Sequence, residues 1–190
     1  MKIYHLGDGK TMVINNTSGF EFIIPSGWYP LLIPASSDEI QKFSTISQEN
    51  NLPFAKNWVL NQPPDKMLLA AVDLDANDYK SVSGIPIQLL YLDVTRLAPS
   101  GLVAPIIDLL KSSGRVTNSY VTEYSGQEVG VVEFKSLVDE TPFLGGKLLL
   151  FIKDKTLFII VGATNNQDVI SKTTRTIDDI TGSLRFYAVK

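Results

Sequence analysis

The chain has 190 residues, of which 44% are apolar and 19% charged, with a formal charge of −3, one histidine and no cysteine. A chain of this size buries roughly 70% of its unfolded surface without metal or disulfide support. The lack of cysteine excludes disulfides, thiolate nucleophiles, iron–sulfur clusters and nearly every structural zinc site, while the mild negative charge and the lack of a Lys/Arg stripe argue against nucleic acid as a partner.

In chain order, Lys2 to Leu6 and Thr11 to Ile14 read as strands joined by Gly7-Asp8-Gly9-Lys10, whose glycines accept the positive φ of tight turns. In "GFEFIIPSGWYP", Phe20, Phe22 and Ile24 share one face at period two, with Glu21 and Ile23 on the other, until Pro25 removes a ladder donor. Ser36 and Glu39 form a capping-box pattern, and Ile40, Phe43 and Ile46 recur every three residues, which predicts a helix over Ser37 to Glu49. A second short helix is expected over Pro53 to Leu60, closed by Pro63-Pro64.

Met67 to Leu74 and Pro86 to Val94 read as strands joined by an acidic, turn-forming stretch, and the second is apolar on both faces, as a central strand would be. Leu102, Ile106, Leu109 and Leu110 then mark an amphipathic helix with Pro105 near its first turn and Gly114 as its stop. Thr117 to Tyr124 pairs with Val129 to Leu137 around Ser125-Gly126-Gln127, and Lys147 to Ile152 pairs with Leu157 to Val161 around Lys153-Asp154-Lys155. Asn166 or Gln167 opens a last helix with Ile170, Thr173, Ile177 and Ile180 as its buried stripe. Gly182 ends it, and Ser183 to Tyr187 returns as an edge strand.

The stretch "KLLLFIKDKTLFIIVG" decides the architecture, because neighbouring strands with nearly continuous apolar runs cannot leave either face in water. The expectation is an α+β fold: a three-layer α/β/α sandwich with a central, mainly antiparallel sheet. No linker, repeat or low-complexity segment interrupts it, so residues 1–190 form one domain. No apolar run reaches the roughly 18 residues needed to span a bilayer, since Leu148 to Ala163 is broken by Lys153, Asp154 and Lys155.

The order of elements, with "SGFEFIIPSGWY" over Ser18 to Tyr29, the strand pair Lys147 to Val161 and the closing "IDDITGSLRF" over Ile177 to Phe186, resembles the PsbP-like superfamily. That group contains PsbP of photosystem II, bacterial relatives and a Ran-binding nuclear import factor. The resemblance implies an α/β/α sandwich, usually without catalytic activity, acting as an accessory or protein-binding domain. Many bacterial members are exported or lipid-anchored. No motif here carries over a metal site or a Ran-binding surface.

The residues that invite chemistry have plainer readings. Trp28 offers a stacking surface, but large aromatics usually serve packing, and it is read as a core corner. His5 is read as a surface strand residue, since no Gly-x-Ser-x-Gly elbow accompanies it. Asp73-x-Asp75-x-Asn77 imitates half a calcium loop, but Asp78 and Gly84 stand where the turn glycine and the bidentate glutamate belong, leaving a solvated acidic turn. The adjacent pairs Asp38-Glu39, Asp139-Glu140 and Asp178-Asp179 cannot face a common substrate. The Gly-Gly-Lys of Phe143 to Lys147 enters a strand and not a helix, unlike a phosphate loop. Asn15-Asn16-Thr17-Ser18 holds overlapping glycosylation sequons, relevant only in a secreted eukaryotic protein.

These readings predict no enzyme, no catalytic, cofactor or metal residues, and a non-enzymatic accessory domain that binds another protein. The alternative is a carrier of a small apolar ligand in a pocket between helices and sheet, lined by aromatics such as Phe43, Phe54, Trp58 and Tyr91. The amino terminus, "MKIYHLGDGK", has no apolar h-region. Either the protein is cytoplasmic or a leader or lipid-anchored segment was trimmed before Met1, and the low charge with abundant hydroxyl and amide side chains favours the second, an extracytoplasmic location.

Overall fold

The computed structural model describes residues 1–49, 67–74, 88–97, 103–112, 115–135, 145–164 and 169–189; of 88–97 only the backbone is described. The expected helix over Pro53 to Leu60 lies outside the described residues, as do Asp75 to Asp78 and Asp139-Glu140. The strands are β1 (Lys2–His5), β2 (Thr11–Asn15), β3 (Phe20–Ile24), β4 (Trp28–Leu32), β5 (Met67–Asp73), β6 (Gln88–Leu97), β7 (Val116–Tyr124), β8 (Gln127–Lys135), β9 (Gly145–Lys153), β10 (Thr156–Thr164) and β11 (Arg185–Phe186). The helices are α1 (Ser37–Glu49), α2 (Val103–Ser112) and α3 (Ile170–Ser183).

Among the described residues the strands form two antiparallel sheets, one of four strands in the order β1-β2-β3-β11 and one of seven in the order β4-β5-β6-β10-β9-β8-β7. In the seven-stranded sheet β9 is buried at every residue but its last, and Leu149, Phe151, Phe158 and Ile160 belong to one core cluster while Leu148, Leu150, Ile152 and Leu157 belong to another. Successive side chains of a strand point to opposite faces, so the two clusters lie on the two sides of this sheet. Strand β6 sits in its interior, between β5 and β10, as its doubly apolar sequence predicts.

What covers those faces differs from the expectation of one central sheet between helices. On one side, Val13, Phe20, Phe22 and Ile24 of the four-stranded sheet pack beside Ile177 and Ile180 of α3. A second sheet thus takes much of the place expected of a helical layer. The reason lies in the pattern of β2 and β3, where burial alternates strictly: this sheet has one core face and one wetter face. On the other side, Val103 and Ile107 of α2 pack on Val132, Leu148 and Leu150.

Strand β4 is absent from the sequence reading, because Pro25 lies just before it and Pro30 stands at its middle. It is an edge strand, and Pro30, opposite Ala71 in the register, occupies a position where a missing N–H costs no ladder bond. The predicted capping box is present: the Ser36 N–H donates to Glu39 Oε2 at 2.8 Å, and the Glu39 N–H donates to Ser36 Oγ at 3.3 Å. The Ser36 hydroxyl, which donates to Glu39 Oε2 at 2.6 Å, and then the Ser36 N–H hold the Glu39 carboxyl below its ordinary range.

The β9–β10 turn has positive φ at both Asp154 (50°) and Lys155 (60°), the mirror-image hairpin turn that suits glycine at its second position. Lys155→Gly is therefore expected to stabilise the domain by about 0.5–1 kcal/mol, read from the urea midpoint, since relief of the positive φ outweighs the extra chain entropy of glycine. An unchanged or lowered midpoint would contradict this account of the turn.

Candidate functional site

Helix α3 lies on β3, β9 and β10 and carries charged residues to both ends of its contact with the large sheet. At one end Lys172 reaches Asp73, the last residue of β5, at 2.8 Å. Asp73 is fully buried, which corrects its reading as part of a solvated acidic turn. It is an anchor between β5 and α3. At the other end Asp178 meets Lys147 of β9 at 2.5 Å, and Glu133, Lys147's register partner on β8, stands 3.1 Å from the same ammonium.

Lys147 is only 4% exposed, while Glu133 and Asp178 keep contact with water. Burial alone would lower its pKa, but the hydrogen bonds of Asp178 and Glu133 outweigh that and hold it above the usual lysine value. Tyr120 of β7 is near the same charges, and its partial burial raises the phenol above its ordinary range. The cluster is a charge-neutralising clamp in a greasy layer: a lysine at this depth persists because two carboxylates compensate it.

The other sequence candidates are dispersed. Trp28 is 6% exposed and belongs to the core between the sheets, and Gly27 O of the preceding turn accepts the Leu74 N–H at 2.8 Å, so the corner reading holds. His5 is exposed on β1, with Nδ1 3.3 Å from Thr11 Oγ1. Gly146 opens β9 where an added Cβ would run into the carbonyl of Gly162, so the Gly-Gly-Lys is a place where two backbones meet and not a phosphate cradle. Asn15 is buried and its Oδ1 accepts the Ser18 N–H at 3.1 Å, which spends the first sequon on a local turn. Phe43 is buried and stacked on Tyr29, with ring centres 5.8 Å apart; Phe54 and Trp58, and the side chain of Tyr91, lie outside the described residues.

Among the described residues, two of the surface clefts can be placed. One, of about 480 Å³, lies where the β2–β3 sheet meets the end of α3, and is lined by Lys10, Ile23, Pro25, Asp178, Asp179 and Ser183. The other, of about 380 Å³, separates the β7–β8 and β9–β10 turns and includes Gln127, Lys153 and Lys155. Among the described residues no three His, Asp or Glu side chains gather as a metal site would require, and no helix is long and apolar enough to cross a membrane. Sequence reasoning missed Glu133 and Lys172, and it named Asp73 and Lys147 only to read them as part of a solvated turn and of a discarded phosphate loop. The available signal was a lysine set in the apolar run of β9, which demands a partner.

No protein-family model and no curated protein sequence matches this chain. Its coordinates are similar to the solution structure of cyanobacterial PsbP (CyanoP) from Synechocystis sp. PCC 6803, with a TM-score of 0.54 and 15% identity, over 95% of this chain and 94% of that one. The molecule is thus a mixed α/β protein built on antiparallel sheets. Its fold is PsbP-like.

Removing both carboxylates around Lys147 (Glu133→Gln with Asp178→Asn) is expected to cost about 3–5 kcal/mol, whereas Lys147→Met, which frees two partly solvated carboxylates, costs less than about 1 kcal/mol. Chemical denaturation of both variants checks the asymmetry, and equal losses would refute the clamp. Because the folded pKa of Lys147 is raised, its contribution is fully present below the ordinary lysine value of 10.5 and is lost as pH climbs through the folded value. Stability measured on the alkaline side should fall more steeply in the wild type than in Lys147→Met.

Proposed function

We propose that this chain is a single, non-enzymatic accessory domain that binds another protein outside the cytoplasm. The observation that carries the reading is the PsbP-like fold over 95% of the chain. We assign it no catalytic centre, cofactor or resident metal. Its ion pairs support this reading, because buried Lys147 and buried Asp73 are each already engaged by a partner of opposite charge that joins α3 to the sheet.

The alternative of a carrier for a small apolar ligand has less support, since Phe43, one of the aromatics that would line its pocket, is already stacked on Tyr29. Affinity capture from an envelope extract of the source organism should retain one protein in stoichiometric amount, and native mass spectrometry of the purified chain should return its bare mass. Repeated capture of nothing specific would count against the accessory role. A constant excess mass of a small molecule would favour the carrier.

A further inference from the structure

The two ends of the seven-stranded sheet are unequally defended. At one end β4 is five residues long and carries Pro30 at its middle, a common guard against further pairing. At the other end β7 runs nine residues without proline, lysine or glycine; its one irregularity falls at its start, between Val116 and Asn118. Among the described residues no strand lies beyond it.

Tyr120 and Val121 are 44% and 43% exposed. Neighbours in a strand point to opposite faces, so exposure of both large side chains marks a missing neighbour on the flank and not one wet face. The backbone agrees. The two-residue Ser125-Gly126 turn makes Tyr124 and Gln127 a hydrogen-bonded pair, so Thr122 and Tyr120 also bond inward to β8, while Glu123, Val121 and Ser119 turn their N–H and C=O groups outward.

We infer that β7 is the docking edge for a second copy of this chain, the two β7 strands pairing antiparallel about a two-fold axis at Tyr120. In that register the outward residue Val121 faces the outward residue Ser119 of the other copy, so the hydrogen-bonding groups match. Tyr120 faces its own copy as a non-hydrogen-bonded pair, the arrangement that brings cross-strand side chains closest. Glu123 falls beside Thr117, at the irregularity of the strand, so no like charges oppose across the axis. An unrelated extended peptide would fill the ladder, but nothing on this edge selects one, whereas the strand is complementary to itself in backbone register and in the pairing of Tyr120 with its own copy. The dimer follows from this edge alone and does not depend on the accessory role.

Sedimentation equilibrium of the full chain over a range of concentrations tests it. The wild type should approach twice its monomer mass. Val121→Pro, which removes an outward N–H, and Val121→Lys, which leaves the ladder but sets two lysines diagonally across the axis, should each weaken association by about tenfold or more. Leu109→Lys, at an exposed position on α2, should leave it unchanged. Circular dichroism identifies a proline variant that has lost its fold, in which case the lysine variant decides. A wild type that stays monomeric, a folded Val121 variant that associates undiminished, or loss of the dimer in Leu109→Lys would each overturn the inference.

Discussion

The fold depends on one meeting of rings. Phe20, from the four-stranded sheet, sets its edge against Phe151 at 5.1 Å and Phe158 at 4.9 Å, both from the seven-stranded sheet, and Phe186 of β11 closes on Phe151 at 5.0 Å. Edge-to-face pairs of this kind contribute about 0.5–1.5 kcal/mol each beyond the area they bury. They fix where one sheet sits on the other, and α3 takes the remaining space on that side. Gly162 makes room for it, since a Cβ there would stand 2.8 Å from Ile177.

Around this apolar contact the charged groups act as locators. Lys172 with Asp73 and Asp178 with Lys147 lie near opposite ends of α3, so sliding or rotating the helix would separate both pairs at once. Each pair has one buried member, Asp73 or Lys147, and such a pair contributes little net stability compared with an apolar replacement but is costly to break by removing the partner of the buried charge. Their value here is positional: burial of Ile177 and Ile180 tolerates many placements of the helix, whereas two charge pairs tolerate one.

Much of this was legible in the residues. The period-two pattern of Phe20, Phe22 and Ile24, the unbroken apolar run of β9 and β10, the capping box at Ser36 and the stripe of α3 each declare a local structure and a burial. The number of sheets was not deduced, although the contrast was visible: alternation in β2 and β3 belongs to a sheet with one wetter face, near-continuous apolar runs to a sheet covered twice. Strand β4 was hidden by Pro30, which is acceptable only at an edge, and edges are a property of topology. Asp73 was misread because the oxygen-rich residues after it suggest a turn, while the partner that compensates its buried charge, Lys172, lies far along the chain. Lys147 was set aside for its neighbours Gly145 and Gly146, whose role is close approach of backbones.

The ring contact also constrains when the protein can close. Phe151, Phe158 and Phe186 all belong to the last quarter of the sequence, and the Ile23 N–H is satisfied at 2.9 Å by the hydroxyl of Ser183, 160 residues away. A ribosome releases Phe20 and Phe22 long before anything exists to cover them. The hairpins of β1 to β3 therefore wait, with their greasy side open, for β9 to β11 to be translated, and any factor that shelters nascent chains would meet them uncovered.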